Sequence, residues 1–189
     1  MYLNLAAMED ESLVLGPGRR SVIWVQGCEF ACPNCINEHL QSFEVAELTA
    51  VEVLVERIIE QDVEGVTITG GEPFLQPQPL AALAAEVRKA GLTVQVYSGF
   101  YLKELLDSKH QHVYDFLDQI DVLIDGRYEV EKAEHTAYKG SSNQNIYFFT
   151  DAYSMVDYRN RSNSFELRYQ KNKNKIRMVG FYDQERFKK

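Results

Sequence analysis

The chain has 189 residues, 45 % of them hydrophobic and 25 % charged, which suits one soluble globular domain with a core of its own. Its formal charge is −8 and its pI is near 5.1, which argues against a nucleic-acid or anionic-membrane binder, because either needs a basic face to neutralise phosphates. The N-terminus has no basic segment leading into an apolar run, and no run approaches the ~20 residues that span a bilayer, so the expected location is cytoplasmic.

Residues 21–26 (SVIWVQ) are rich in β-formers and run out at Gly27 and Cys28. Residues 49–61 carry Val51, Leu54, Val55, Ile58 and Ile59 at the helical period, and Thr49 with Glu52 fits a capping box. A short buried strand at 65–69 (GVTIT) leads into GGEP. Residues 79–91 read as a helix with proline at its start and glycine at its end, followed by a strand at 93–99 (TVQVYSG). Two helical pieces, YLKELLDS and VYDFLDQ, precede a strand at 121–126 (DVLIDG).

Strands and helices alternating at this length need crossover connections, which favour a mostly parallel sheet. The strand ends are Gly27 and Cys28, then Gly70, Gly71 and Glu72, then Ser98 and Gly99, then Asp125 and Gly126. All are carboxyl ends, the edge where α/β sheets and barrels bind ligands. The last third changes character. NIYFF (145–149) suggests one more strand, and 165–182 reads as two strands around a polar KNKNK turn, a C-terminal hairpin for which the sheet edge offers a berth. His110, His112 and His135 lie in polar contexts and read as surface residues. No repeat or linker divides the chain, so the expectation is a single domain over 1–189, with a core at about 12–150 and the hairpin at about 165–182.

All three cysteines, Cys28, Cys32 and Cys35, fall within eight residues after the first of these strands, in a C-x3-C-x2-C spacing. An odd, clustered set in a reducing compartment reads as metal binding or catalysis rather than as a disulfide framework. Two metal readings are open. His39, four residues after Cys35, would complete a Cys3His zinc module with no catalytic role. Alternatively three thiolates hold three irons of a 4Fe–4S cluster and leave the fourth iron open to a ligand. The TGGEP segment (69–73) suits either a tight strand-to-helix turn or a backbone loop that approaches a ligand. Ser98 suits a helix N-cap or a site residue, and Asp125 a turn-forming Asp-Gly pair or a liganded acid.

The ordered series VQGCEFACPNCIN, ITGGEPFLQP, DVLIDGRY and YKGSSNQNIYFF, with a C-terminal FELR…GFY pair, resembles the radical S-adenosylmethionine superfamily. Within it the series is similar to the glycyl-radical-enzyme activating enzymes, those of anaerobic ribonucleotide reductase among them. The resemblance spans about residues 12–182. It implies a partial, open (β/α) barrel, mostly parallel, with a C-terminal β-hairpin. It implies a 4Fe–4S cluster on Cys28, Cys32 and Cys35, and S-adenosyl-L-methionine bound by Gly70, Gly71 and Glu72, by Asn34, Cys35 and Ile36 against the adenine, and by Ser98 and Asp125 at the strand ends. Asp125 is also placed by it near a monovalent cation. No catalytic side chain is implied beyond the cluster and cofactor site. The implied partners are a glycyl-radical enzyme such as anaerobic ribonucleotide reductase and an electron donor such as flavodoxin or ferredoxin. A radical enzyme acting on a peptide or small molecule is the alternative within the superfamily.

Overall fold

The computed structural model describes residues 1–134, 136–159, 164–170 and 174–182. Its centre is a seven-stranded open sheet. Strands β1 (Tyr2–Ser12), β2 (Arg20–Val25), β3 (Glu47–Ala50), β4 (Gly65–Gly70), β5 (Thr93–Ser98), β6 (Val122–Asp125) and β7 (Asn145–Phe148) lie in the order β3-β1-β2-β4-β5-β6-β7. The central four, β2-β4-β5-β6, are parallel. β1 and β3 on one flank and β7 on the other are antiparallel, so the sheet is mixed and ends in two free edges.

Four helices follow: α1 (Val51–Ile59), α2 (Pro77–Lys89), α3 (Leu102–Asp107) and α4 (Gln111–Leu117). Their apolar faces pack on one side of the sheet. Leu54 and Ile58 of α1, Leu80, Leu83 and Val87 of α2 and Phe116 of α4 form one core with Ile23, Val25, Val66, Ile68, Val94, Val96 and Leu123. Burying such side chains is worth roughly 1.5–3 kcal/mol each, which makes this layer the main source of stability. Two boundaries differ from the sequence reading. Thr49 does not cap α1, because it pairs with Leu3 in β3, and the N-cap is Ala50 without a side-chain bond. α2 begins two residues early, with Pro77 in its first turn, where a missing N–H costs nothing.

The other side of the sheet is different. Alternate residues of β4 and β5 put Thr67, Thr69, Gln95 and Tyr97 there instead of aliphatic groups. At its amino end the face is closed by Arg20, which is buried. Its guanidinium donates to Thr67 Oγ1 (2.8 Å), the Val66 carbonyl (2.8 Å) and the Tyr153 hydroxyl (2.9 Å). At its carboxyl end the face opens into a cavity.

The C-terminal hairpin, β8 (Phe165–Gln170) paired with β9 (Lys175–Gly180), forms its own two-stranded sheet. It lies over this second face rather than on an edge. Val179 packs with Val14, Leu15, Val22, Trp24 and Leu40. A short helix α5 (Met155–Tyr158) brings Tyr158 against Tyr138, Val122 and Ile124. Of the three histidines read as surface residues, His110 is exposed and His112 is partly exposed beside Asp115. His135 and residues 171–173 of the KNKNK turn lie outside the described residues. Among the described residues no helix is long and apolar enough to cross a membrane.

Candidate cluster and cofactor site

The carboxyl ends of β2 and β4 are sewn together through backbone. Gly71 N–H donates to the Val25 carbonyl and Glu72 N–H to the Gly27 carbonyl, both at 2.8 Å. The two loops approach so closely that a Cβ on Gly71 would run into the Gly27 carbonyl oxygen. Gly70 sits at φ 112°, a conformation open to glycine and strained for any other residue. The double glycine is therefore required before any ligand is considered. Gly71→Ala should cost about 2 kcal/mol or more by forcing the loops apart, read as a lower denaturant midpoint of the apo chain. An unchanged midpoint would mean that the seam tolerates a methyl group.

From that seam the cysteine loop runs over the sheet edge. Gly27 N–H and Cys28 N–H donate to the carbonyls of Leu40 (2.8 Å) and Gln41 (3.1 Å), which pins both ends of the loop. Inside it Cys35 N–H bonds the Cys32 carbonyl at 3.2 Å, and the chain turns through left-handed residues Ala31 (φ 44°) and Asn34 (φ 56°). Asparagine tolerates that region better than most residues, which gives Asn34 a backbone reason to stand between Cys32 and Cys35. Burial pushes the Cys28 thiol up to about 11, against a pull from the Phe30 N–H, and raises Cys35 as well.

Phe30 fastens the loop to the rest of the edge. Its ring meets Phe100 edge-on, with centroids 4.6 Å apart, and lies over Gly99, where a Cβ would collide with it. On its other side the Arg127 guanidinium stands 4.5 Å from the ring centroid and forks onto Glu104 at 3.0 and 3.1 Å. Losing a cation–π contact of about 1 kcal/mol lets a loop open about fivefold more often. Arg127→Ala should accordingly speed alkylation of the three thiols in the reduced apo chain about fivefold. Rates equal to wild type would show that the guanidinium does not hold the loop.

Glu72 is 1 % exposed. Its Oε1 accepts from Phe74 N–H (2.9 Å) and Ser98 Oγ (3.0 Å), and its Oε2 from Gly99 N–H (2.7 Å). Burial pushes the carboxyl up to about 7 in spite of those three donors. Ser98 Oγ also accepts from Phe100 N–H at 3.0 Å, so this hydroxyl locks a turn and does not cap α3, whose N-cap is Tyr101. Asp125, fully buried, is another bracket. It accepts from Leu102 N–H (2.6 Å) at the start of α3 and from Asn145 Nδ2 (2.9 Å) on β7.

These elements enclose a cavity of about 760 Å³ on the polar side of the sheet. Eight of the ten residues singled out from the sequence line it: Cys28, Cys32, Cys35, Asn34, Ile36, Gly71, Glu72 and Ser98. Gly70 and Asp125 lie behind the lining, in the seam and the bracket. His39 also reaches the cavity. It is exposed, and the partial burial of its ring, together with nearby Arg177, lowers its pKa. Among the described residues no three His, Cys, Asp or Glu side chains converge on a point fit for a single metal ion.

Several contributors escaped the sequence reading. Trp24 and Tyr97 form part of the floor, and Ile176 to Tyr182 of the hairpin segment form a wall. The β4 and β5 alternation V-T-I-T and V-Q-V-Y was the available signal, since parallel strands covered by apolar layers on both sides read as continuous aliphatic runs. The KGSSNQ loop (139–144) clamps the segment after β6. Gln144 donates to the Gly126 carbonyl and Asn143 to the Arg127 carbonyl, both at 2.8 Å.

The family model described as "4Fe-4S single cluster domain" matches residues 14–147. Several curated relatives carry the description anaerobic ribonucleoside-triphosphate reductase-activating protein. That of Pasteurella multocida is 34 % identical over 161 residues, covering 78 % of this chain and 99 % of the relative. That of Haemophilus influenzae is 31 % identical over 163 residues, with the same coverage. That of Enterobacteria phage T4 is 27 % identical over 146 residues, covering 73 % of this chain and 89 % of the relative.

Proposed function

This chain belongs to the 4Fe-4S single cluster domain family, alongside the anaerobic ribonucleoside-triphosphate reductase-activating proteins, and from that premise we propose that it is a radical S-adenosylmethionine enzyme which activates such a reductase. The observation that carries the reading is the convergence of three thiols, the Gly71 and Glu72 loop and Ser98 on one cavity at the carboxyl edge. The donor set fits a cluster with one open iron. Three cysteines supply three soft ligands, and the chain has no fourth. Burial raises the pKa of the Cys28 and Cys35 thiols, and a strong positive charge such as iron would draw off their protons on binding.

With both groups bound, the cluster held by Cys28, Cys32 and Cys35 and the S-adenosylmethionine beside it would supply one-electron radical chemistry that ends in abstraction of a hydrogen atom. The chain's own residues hold, orient and shield. Cys28, Cys32 and Cys35 hold iron. The backbone of Asn34, Cys35 and Ile36 offers a ledge for the adenine, needing no particular side chain. Gly70 and Gly71 keep the β4 loop close to the cysteine loop, where its exposed edge can meet the amino and carboxylate groups of the cofactor. Glu72 and Ser98 fix the ends of β4 and β5 in register, and Asp125 fixes the start of α3 and the end of β6. Trp24, Tyr97 and the hairpin segment exclude water from the cavity.

The same reading takes the fold as the partial, open (β/α) barrel of this superfamily, working as a single cytoplasmic domain. A low-potential one-electron donor of the flavodoxin or ferredoxin kind completes the electron path. The substrate is a glycine of the reductase, whose missing side chain lets an extended loop reach into a narrow cavity. The test is an anaerobic assay of 5′-deoxyadenosine by the iron-reconstituted chain, alone and with the reductase. Slow uncoupled cleavage alone, much faster cleavage with the reductase and a glycyl doublet in electron paramagnetic resonance are expected. Efficient turnover of a small molecule, with no protein radical, would refute the partner while keeping the radical chemistry.

A further inference from the structure

The polarity of the C-terminal hairpin is reversed. In the β8–β9 register, Glu166 faces Val179 and Arg168 faces Arg177, and this side is turned toward the body of the protein. Its charges are used there. Arg168 pairs with Glu166 (2.8 Å) and donates to the Glu11 carbonyl (3.0 Å), and Glu166 accepts from Leu13 N–H (3.0 Å). Arg177 pairs with Glu9 (3.3 Å) and lies 4.2 Å from the Trp24 ring centroid. The opposite side carries Phe165, Leu167, Tyr169, Ile176 and Met178, with Leu167 against Met178 and Tyr169 against Ile176. Leu167 is 62 % exposed, Tyr169 61 % and Ile176 67 %. A ribbon with one solvated face ordinarily turns its polar side outward. Here charges are spent inward and the apolar residues are held out in water, a composition typical of the centre of a protein interface.

The location of this face decides its occupant. Ile176 and Met178 also line the cavity that holds Cys28, Cys32 and Cys35, so the apolar face continues into the cavity wall. A second copy of this chain seated on Ile176 and Met178 would crowd the route by which a polypeptide substrate enters. An anionic lipid surface is disfavoured by the net charge of −8. A small substrate has no use for side chains such as Leu167 and Tyr169, which stand outside the cavity.

We propose that the outward face of the β8–β9 hairpin is the docking surface for the reductase whose glycine is delivered to the cavity. The proposal rests on the function given above. Docking would cover Leu167, Tyr169 and Ile176, and the glycine-bearing loop would pass Ile176 and Met178 on its way in. The bound reductase then shuts water out of the cavity.

The experiment uses the iron-reconstituted full chain with the anaerobic ribonucleoside-triphosphate reductase of the same organism. Wild type is compared with the double variant Leu167→Glu and Tyr169→Glu. The variant should retain wild-type iron content and the slow uncoupled cleavage of S-adenosylmethionine. Its affinity for the reductase, by calorimetry or sedimentation, should fall about thirtyfold or more, as for loss of central interface anchors, and the glycyl doublet should be lost at matched concentrations. Should the glutamates also abolish uncoupled cleavage, the pair Leu167→Ala and Tyr169→Ala, which removes apolar area without adding charge, gives the same reading. Reductase affinity within about twofold of wild type overturns the docking surface, and so does a wild-type dimer that the variant dissociates while reductase binding is unchanged. A wild-type chain that forms no glycyl radical on the reductase overturns the underlying function, and the docking surface with it. A wild-type chain that does so, beside variants that do so equally, overturns the docking surface alone.

Discussion

Cys28→Ala, Cys32→Ala and Cys35→Ala should each abolish S-adenosylmethionine cleavage, whereas His39→Ala should keep the cluster. The expectation for the cysteines follows from arithmetic and from geometry. The chain has three thiols and no fourth, so none can substitute for another. Each side chain reaches the same cavity from a loop whose ends are pinned at Leu40 and Gln41. Losing one leaves two protein ligands for a four-iron cluster. Iron and sulfide per chain should therefore drop sharply, and the broad absorption near ~400 nm typical of such sites should fade. The loss of turnover should exceed about a thousandfold, the scale of effect when a cofactor's own holder is removed. His39 is placed otherwise. It is exposed, and among the described residues no three His, Cys, Asp or Glu side chains converge on a point fit for a single metal ion. If His39→Ala lost all metal while the cysteine variants behaved alike, the Cys3His zinc reading would be restored.

The parts of the site that were legible in the sequence are those where chemistry and position coincide. Cysteines at C-x3-C-x2-C spacing after a strand, a double glycine after the next strand and short polar residues after the following two all mark the carboxyl edge, and a parallel sheet brings such ends together. Eight of those ten residues share the cavity for that reason. What stayed illegible depends on partners far along the chain. Glu72 is occupied by Ser98 and Gly99, 26 and 27 residues away, and Asp125 by Leu102 and Asn145, 23 and 20 residues away. Read from the sequence, each suits a turn or a ligand; in the fold each is a bracket between strand ends. β1 was missed because only Leu3 and Leu5 of its first half are buried, before Met8 and the acidic run from Glu9 to Glu11, which carry little β signal. Its presence in turn consumes Thr49, which is why the capping box failed. The hairpin was visible as alternation, but alternation alone does not say which face turns inward.

Glu72→Ala should be the most damaging single change away from the cysteines, and it should act through the fold as well as through the cofactor. Sequence reasoning favours weaker cofactor binding over weaker folding. The geometry adds a folding cost. Truncation would leave Phe74 N–H, Gly99 N–H and Ser98 Oγ without their carboxylate acceptor at a buried position. Each buried donor left unpaired costs about 1–3 kcal/mol, so a loss of about 3–5 kcal/mol is expected, a large share of the ~5–15 kcal/mol typical of a domain. Denaturant midpoints of the apo chain would register it, and a midpoint like wild type would show the bracket to be idle. The carboxyl group also writes a signature in pH. Its folded pKa is about 7, raised by burial from an ordinary 4.5. Between those values the folded chain binds more protons than the unfolded one, so stability falls as pH rises through the window and levels off above about 7. The contribution is at most about 3 kcal/mol, at 1.36 kcal/mol for each unit of displacement. The Cys28 thiol, pushed up to about 11, does not titrate in that range. Glu72→Gln keeps an acceptor for Phe74 and Ser98 and removes the ionisation, while its amide nitrogen faces the Gly99 N–H. The variant should therefore start less stable and lose less stability between pH 5 and pH 8 than wild type does. Equal losses over that interval would mean that Glu72 titrates as an ordinary surface carboxylate, and that the three donors, rather than burial, set its charge.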